Sequence, residues 1–335
     1  MGRVVLVTGV ARDLGFEFAQ RLVDDPTVDK VVGVDLRSPR RELVGATFVR
    51  ADIRTPVLGQ VLADEDVDTV VHLSVAALPV RGGAPSSLKE SNVIGTMQLL
   101  AACQRAPAVG RLVVKSTTAV YGASPRDPAL FTEGMGPQRT PAAGFAKDSA
   151  EVEGYLRGFC RRRPDVAVTT FRMANLLSTR LDTPMARYFR LPVLPTVLGY
   201  DPRLQFLHAD DAVEVLHQAT VHERPGTYNV AGDGIVLLSQ AVRRTGRPSI
   251  AVPSFAFSAA VGRLGRAVGS VGPDVVPLLT YGRGVDTTAL RTGFGYQPVW
   301  STADTLAAFV RDLGPGPLTK VTARVDDSSL AAHHA

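Results

Sequence analysis

The chain has 335 residues, of which 45% are hydrophobic and 21% charged; these proportions are typical of a folded globular protein and exclude wholesale disorder. The formal net charge of +5 is modest, and the arginines are scattered without interleaved aromatic residues, which argues against a nucleic-acid-binding surface. Cys103 and Cys160 lie in apolar helical patterns, so we expect two reduced core thiols and no disulfide scaffold.

The first half of the chain alternates short β-branched runs with longer helical patterns. Strands are predicted at residues 4–7, 30–34, 47–49, 69–72, 111–115 and 166–171. Helices are predicted near residues 16–23, 57–62, 91–103 and 148–159. Such alternation is typical of an α/β fold and predicts a Rossmann-type doubly wound parallel sheet with helices on both faces.

The second half is less regular, with many prolines at 184–202 and an apolar, glycine-rich stretch at 251–279. This composition favours a smaller C-terminal substrate domain over the carboxyl edge of the sheet, where ligands bind in open α/β folds. The expected domains are a dinucleotide-binding Rossmann domain at 1–175 to which 203–230 returns, a substrate domain at 176–202 and 231–312, and a flexible tail at 313–335.

The sequence also bears on the cellular compartment, on membrane-spanning segments and on metal sites. The chain opens directly on the first strand with no charged leader, so we expect a cytoplasmic protein. The apolar stretch 255–272 is interrupted by Arg263 and Arg266, which makes it too polar for a transmembrane helix. His72 and His208 lack the spacing of metal ligands, and no metal site is expected.

A glycine-containing turn joins the first strand to the first helix, in residues 8–15. Gly9 suits the tight turn and Gly15 suits close packing of the helix on the strand, so that backbone amides at the helix start face a pyrophosphate. Arg12 stands where a third glycine lets the backbone approach the phosphates. Its guanidinium either binds phosphate, which we favour, or blocks the loop.

The second predicted strand ends at Asp35, whose carboxylate is placed to accept hydrogen bonds from the ribose hydroxyls of an adenosine. A phosphate on that ribose is repelled, which favours NAD over NADP, although Arg37 offers partial compensation. Asp35 as an ordinary residue of a strand end is the alternative. Asp52 and Ile53, after the third strand, are candidates for contact with the adenine.

Several short motifs occur in a characteristic order and spacing. They are VHLSVAA at 71–77, NVIGT at 92–96, STTAVYG at 116–122, RMAN at 172–175 and FLHADD at 206–211. With the glycine turn, they make the chain resemble the extended short-chain dehydrogenase/reductase superfamily, and within it the NAD-dependent epimerase/dehydratase group that includes UDP-glucose 4-epimerases. The resemblance runs from about residue 3 to residue 310.

The resemblance implies roles for individual residues. Thr117 matches the catalytic Ser/Thr that binds the reacting hydroxyl or keto oxygen, and Lys147 matches the lysine that holds the nicotinamide ribose. Thr118 and Asn175 match substrate-binding positions. The positions implied to contact the cofactor are Gly9, Arg12, Leu14, Gly15, Asp35, Asp52, Ile53, Leu73, Ala76, Asn92 and Lys147.

The catalytic Tyr-x-x-x-Lys pair of the group is incomplete, because Ala143 stands four residues before Lys147. A lysine one helical turn away lowers the pKa of the tyrosine phenol so that it acts as a base near neutral pH. Loss of a positioned proton acceptor costs about 100- to 10,000-fold in rate. The chain therefore resembles members of the group with an incomplete active-site tetrad.

Three functions remain open at the level of sequence. The first is an NAD(P)-dependent sugar-nucleotide epimerase/dehydratase-like oxidoreductase that transfers hydride transiently at a carbinol carbon. The second is a catalytically weak or inactive NAD(P)-binding sensor, and the third is a hydroxysteroid-dehydrogenase-like enzyme acting on an apolar alcohol. The resemblance also implies a small-molecule substrate and a homodimer formed through the helices predicted near 91–103 and 148–159.

Overall fold

A computed structural model describes residues 2–79, 86–137, 141, 144–265, 271–272 and 274–318. The strands are β1 (Arg3–Thr8), β2 (Val28–Asp35), β3 (Thr47–Arg50), β4 (Thr69–His72), β5 (Arg111–Thr117), β6 (Ala167–Met173), β7 (Asn175–Leu176), β8 (Leu194–Val197), β9 (Arg203–Leu204), β10 (Phe206–Leu207), β11 (Gly226–Val230), β12 (Val236–Leu237) and β13 (Ser249–Val252). The α-helices are α1 (Asp13–Val23), α2 (Leu58–Asp64), α3 (Ser86–Lys89), α4 (Gly95–Arg105), α5 (Gly144–Arg162), α6 (Pro184–Phe189), α7 (Ala209–Val221), α8 (Leu238–Thr245), α9 (Ser254–Gly265), α10 (Val275–Tyr281) and α11 (Thr302–Leu313).

Seven parallel strands form the central sheet in the order β11-β6-β5-β4-β1-β2-β3. The strand order reverses between β1 and β4, and a crevice opens at the carboxyl ends of the strands at this point. The structure confirms the predicted Rossmann-type doubly wound sheet. It also adds β11, whose sequence Gly-Thr-Tyr-Asn-Val has no clear apolar pattern and which pairs with β6.

Two apolar layers cover the faces of this sheet. On one face α1 and α7 contribute Phe18 and Leu216, and on the other α4 and α5 contribute Leu99 and Phe159. All four side chains are fully buried, and burying a side chain of this size stabilises the fold by about 1.5–3 kcal/mol. The strands read as continuous apolar runs because both of their faces are covered.

A third core lies beside the sheet, in the segments after β6. Phe189 of α6 contacts the rings of Phe206 and Phe309, with centroids 6.0 and 6.2 Å away. Strand pairs β8–β13, β7–β10 and β9–β12 surround this core, which α8 to α11 also enter. The segment therefore forms a smaller body of its own next to the carboxyl edge of the sheet.

The structure also bears on the predictions for the two cysteines, for membrane spans and for the C-terminal tail. Cys103 is buried as predicted, but Cys160 is exposed, because it falls on the solvent face of α5. Within the described residues, no helix combines the length and the apolar character that crossing a membrane requires. Of the predicted tail at 313–335, the residues from 319 onward lie outside the described residues. The predicted domain limits remain predictions.

Candidate functional site

The turn between β1 and α1 depends on its glycines. Gly9 has a φ of +84°, and a Cβ there would lie 2.9 Å from the backbone nitrogen of Ser74. A Cβ at Gly15 would lie 2.2 Å from the carbonyl oxygen of Gly9. Both positions therefore exclude a side chain, and the turn presents the start of α1 to the crevice as a cradle of backbone amides. Leu14 and Gly15 line the adjoining cavity.

Two cavities follow the carboxyl edge of the sheet and share part of their walls. The large cavity, of about 690 Å³, lies over β5 and β6 and extends to α10. The small cavity, of about 120 Å³, lies over the ends of β2 and β3. Arg12, Arg37 and Pro79 contribute to both walls. Together the cavities trace the path that an extended dinucleotide takes across a Rossmann sheet.

Arg12 lies across the boundary between the cavities. Its backbone is extended, with φ −94° and ψ 150°, and its Nη1 donates a hydrogen bond of 2.9 Å to the carbonyl oxygen of Leu78. Burial lowers the pKa of the guanidinium, against the attraction of Asp35, Asp182 and Asp13. A half-buried, charged guanidinium thus stands at the mouth of the glycine turn, where a pyrophosphate reaches the helix start.

The small cavity contains the residues predicted to contact adenosine. Asp35 lies in its wall, and its Oδ2 accepts a hydrogen bond of 3.1 Å from the backbone nitrogen of Ala11. Burial raises the pKa of Asp35, against hydrogen bonds from the backbone that lower it. Asp52 and Ile53 also line this cavity. Arg54, which the sequence analysis missed, forms a 2.7 Å ion pair with Asp52, and this hydrogen bonding lowers the pKa of the Asp52 carboxyl.

The loop after β4 forms the floor of the large cavity. Leu73 and Ala76 line the cavity, and their predicted contact with the cofactor stays a prediction. Asn92, in the π-helical turn Glu90–Ile94, is fully buried behind that loop. Its Oδ1 accepts from the nitrogen of Ala76 and its Nδ2 donates to the oxygen of Ala76, both at 3.0 Å. Asn92 therefore fixes the loop and is absent from the walls of both cavities.

The predicted substrate residues lie at the other side of the large cavity. Thr117 ends β5 in the cavity wall, where its Oγ1 accepts a 3.2 Å hydrogen bond from the nitrogen of Ala119. Asn175 also lines this cavity. Thr118 is buried behind the wall, and its hydroxyl accepts a 3.2 Å hydrogen bond from Nε of Arg283.

Arg283 is a cavity residue that sequence reasoning missed. It lines the large cavity, and its Nη1 donates a 2.7 Å hydrogen bond to the carbonyl oxygen of Gly122. Burial lowers the pKa of this guanidinium to about 10. Arginine in a loop near the C-terminus carries no local signal, because only the fold brings it to β5. The wall of the large cavity therefore contains a second half-buried guanidinium besides that of Arg12.

Of the two positions of the Tyr-x-x-x-Lys frame, only the lysine lies within the described residues. Ala143 lies outside the described residues. Lys147 lies on α5 with 42% of its side chain exposed, and its Nζ is 3.9 Å from Oε1 of Glu151. Phe145 and Ala146 line the large cavity, whereas Lys147 is absent from its wall. The ribose-holding role of Lys147 stays a prediction.

A different lysine enters the large cavity. Lys115 of β5 lies in its wall and donates a 2.8 Å hydrogen bond from Nζ to the carbonyl oxygen of Val75. Burial lowers the pKa of this ammonium to about 8. The signal was present in the sequence, since a lysine inside the apolar run Leu-Val-Val-Lys-Ser is unusual for a strand covered on both faces.

A buried ionic network supports the site from behind. Nη2 of Arg172 lies 2.7 Å from Oε2 of Glu153, and its Nη1 donates a 2.8 Å hydrogen bond to the hydroxyl of Tyr121. That hydroxyl in turn donates to Oδ1 of Asn229 at 2.7 Å. Burial raises the pKa of Tyr121. Because its hydroxyl is committed on both sides, Tyr121 acts as a structural residue and is a poor substitute for the absent phenol.

The two histidines singled out in the sequence have structural contacts. His72 is buried between the hydroxyls of Thr8 and Thr96, each 2.8 Å from a ring nitrogen, and burial lowers its pKa to about 3. His208 caps α7 and stacks on Trp300, with ring centroids 4.2 Å apart. Among the described residues, the structure contains no cluster of three or more side chains suited to a metal ion.

The sequence matches a protein-family model over more than half of the chain. The model of the NAD dependent epimerase/dehydratase family matches residues 5–231. The chain belongs to this family. An uncharacterized protein of Mycobacterium tuberculosis is 44% identical over 322 residues, which are 94% of this chain and 85% of the relative.

Solved structures share the fold at lower sequence identity. UDP-glucose 4-epimerase from Thermotoga maritima, solved with UDP-glucose, superposes with a TM-score of 0.70 at 19% identity, covering 92% of this chain and 97% of the other. UDP-glucuronic acid 4-epimerase from Bacillus cereus, solved in complex with NAD, has a TM-score of 0.68 at 19% identity and covers 92% and 99% of the two chains. The likeness to these two structures establishes the fold alone.

Proposed function

We propose that the protein is a dinucleotide-binding oxidoreductase of the epimerase/dehydratase type, with a nucleotide sugar as its substrate. The observation that carries this proposal is the continuous pair of cavities that begins at the glycine turn and ends at Thr117. The turn excludes side chains at Gly9 and Gly15, and so fits a pyrophosphate at the start of α1. When bound, a nicotinamide cofactor supplies the hydride acceptor for oxidation of a carbinol carbon.

The residues of the chain then have distinct roles. Thr117 donates a hydrogen bond to the reacting oxygen, because it lies in the cavity wall at the carboxyl end of a central strand. Asn175 and Arg283 offer an amide and a guanidinium to the phosphates of the nucleotide sugar. Asp35 favours NAD over NADP, since a second phosphate on the ribose meets its carboxylate.

Calorimetry with NAD and NADP tests the cofactor part of this proposal, and turnover on a panel of UDP-sugars tests the catalytic part. Thr117→Val should lower kcat/KM by about 100-fold, because it removes the donor to the reacting oxygen. Thr117→Ser should retain most activity. Thr292→Val, at an exposed position outside both cavity walls, is the matched control. If Thr117→Val turns over as fast as the parent, the catalytic assignment is wrong.

A second candidate is a protein that binds the cofactor without turnover. Two features favour this second candidate. The alanine at 143 removes the phenol of the usual acid/base pair, and the side chain of Lys147 is exposed outside the cavity wall. Binding of NAD with no product from any UDP-sugar is the expected result for this candidate. Ala143→Tyr then separates the two, because an increase in turnover indicates an active site that lacks only its phenol.

We also propose that two copies associate through α4 and α5. Met97 of α4 is 40% exposed and Tyr155 of α5 is also 40% exposed, so that each helix presents a large apolar side chain to solvent. Side chains of this kind are enriched at interfaces. Light scattering should give twice the mass of the chain, and Met97→Glu with Tyr155→Glu should give the mass of a single chain.

A further inference from the structure

The ammonium of Lys115 has unused hydrogen-bonding capacity inside the large cavity. Nζ donates one hydrogen bond, to the carbonyl oxygen of Val75 at 2.8 Å. A lysine ammonium has three donors, so two remain. Over the described residues the structure gives this ammonium no second acceptor and no ion pair. Because Lys115 lines the cavity, the remaining donors are available to a ligand there.

The charged group that acts on the pKa of Lys115 is a cation. Arg12, from the start of α1, repels the ammonium, and burial together with this repulsion lowers the pKa of Lys115 to about 8. His72 of β4 is neutral near pH 7, because burial lowers its pKa to about 3. Ser116 donates to Glu153, which is committed to the ion pair with Arg172. Among the described residues this half-buried ammonium has no anionic partner, so a ligand rich in anionic oxygens gains affinity by binding it.

Lys115 is also placed in relation to the reacting centre. It lies two residues before Thr117 on β5, and side chains two apart on a strand project from the same face. Its hydrogen bond to Val75 brings Nζ against the loop that forms the cavity floor. Lys147, by contrast, is 42% exposed and lies beside Glu151 outside the cavity wall.

We propose that Lys115, rather than Lys147, is the lysine that contacts the bound dinucleotide, donating hydrogen bonds to its ribose and phosphate oxygens in the large cavity. This inference rests on the proposed function, because it requires a dinucleotide in that cavity. It gives the site an ammonium from the strand that carries Thr117, in place of one from α5.

Dinucleotide binding is then coupled to protonation of Lys115. The phosphates favour the ammonium over the neutral amine, so binding raises a pKa that is about 8 in the free protein. Near pH 8 part of the free protein is unprotonated at this site, and binding takes up a fraction of a proton. Near pH 6.5 the amine is already protonated and uptake is close to zero. Affinity therefore falls as the pH rises through 8.

Calorimetry of the full chain with NAD, at pH 6.5 and pH 8 and in two buffers of different ionisation enthalpy, measures both affinity and proton uptake. Lys115→Met should weaken NAD binding by about 10- to 100-fold and abolish the uptake at pH 8. Lys30→Met, which removes a surface lysine of β2 that pairs with Glu65, should change neither the affinity nor the proton uptake. Lys147→Met is the competing variant, and we expect it to retain the proton uptake.

The results separate this inference from the function on which it rests. If the parent protein binds neither NAD nor NADP, the proposed function fails, and the inference fails with it. If the parent binds NAD while Lys115→Met binds equally well with the same uptake, or Lys147→Met alone loses affinity, only the inference is overturned. Should Lys115→Met fold poorly, acetylation of the parent protein read by mass spectrometry decides: NAD should protect Lys115, and unprotected modification contradicts the assignment.

Discussion

Replacement of Arg12 by methionine tests how the cradle at the start of α1 binds a pyrophosphate. Within the described residues, the guanidinium of Arg12 makes one hydrogen bond, from Nη1 to the carbonyl oxygen of Leu78 at 2.9 Å. Nε and Nη2 therefore remain for a phosphate oxygen, and the guanidinium binds it without releasing Leu78. A hydrogen bond to a charged group contributes about 1.5–3 kcal/mol. Arg12→Met should accordingly weaken NAD binding by about 10- to 100-fold.

The partly buried guanidinium of Arg12 is costly in the free protein, which strengthens the expected loss of NAD affinity in Arg12→Met. Burial lowers the pKa of Arg12 and outweighs the attraction of Asp35, Asp182 and Asp13, so a cost remains in the free protein that a bound anion offsets. Methionine keeps the length and the apolar contacts while removing the charge. Arg12→Lys retains a point charge without the planar fork and should fall between the parent protein and Arg12→Met.

Titration calorimetry with NAD at low and high salt is the appropriate assay. Arg21→Met, on the same helix and paired with Glu214 at 3.6 Å, serves as the matched control and should bind as the parent does. The salt dependence of affinity should decrease in Arg12→Met, since one cation fewer faces the phosphates. Equal or tighter binding by Arg12→Met would refute the reasoning and identify the guanidinium as an obstruction.

Three further predictions follow from other contacts. Asp35→Ser should raise affinity for NADP and lower that for NAD, each by about tenfold, in the same calorimetric assay; unchanged preference would remove Asp35 from the ribose site. Arg172→Met leaves Glu153 buried without its partner, so chemical denaturation should show a loss of about 3–5 kcal/mol, and a loss below about 1 kcal/mol contradicts the network. Hydrogen bonds from Thr27 and burial act in opposite senses on Asp25 and on balance lower its pKa to about 2, so its contribution of about 2 kcal/mol is present above pH 4 and lost as the pH falls towards 2. Asp25→Asn should flatten that part of the stability profile, and an unchanged profile would exclude this group.

Much of the fold could be predicted because its signals are local. Apolar runs of four to eight residues between helical patterns identify strands of a parallel sheet, and the requirement for glycine at positions 9 and 15 follows from the geometry of a single turn. The strand β11 escaped prediction, because its mixed sequence becomes a strand only through pairing with β6. The prediction that Cys160 is a core residue was wrong for a related reason, because its burial depends on which face of α5 packs on the sheet.

Some residues of the candidate site could likewise be placed from local sequence, whereas others depend on contacts between distant segments. Gly9, Gly15, Asp35 and Thr117 are placed by the ends of the strands that precede or contain them, and the structure brings all four to the walls or the mouth of the cavities. Asn92 instead fixes the cavity floor, because its amide reaches Ala76 from a neighbouring helix. Sequence spacing gives the family position of a side chain and leaves its direction undetermined.

The sequence by itself determined the sheet, the glycine cradle and the family, because each depends on residues close together in the chain. Tertiary structure decided which charges enter the cavities. Arg12 meets Leu78 across 66 residues, Lys115 meets Val75 across 40, and Arg283 meets Thr118 across 165. Such contacts depend on the order of strands in the sheet and on the packing of the smaller body beside it. A buried cation is recognised only when its surroundings are known, since burial and the absence of an anionic partner are properties of the folded chain.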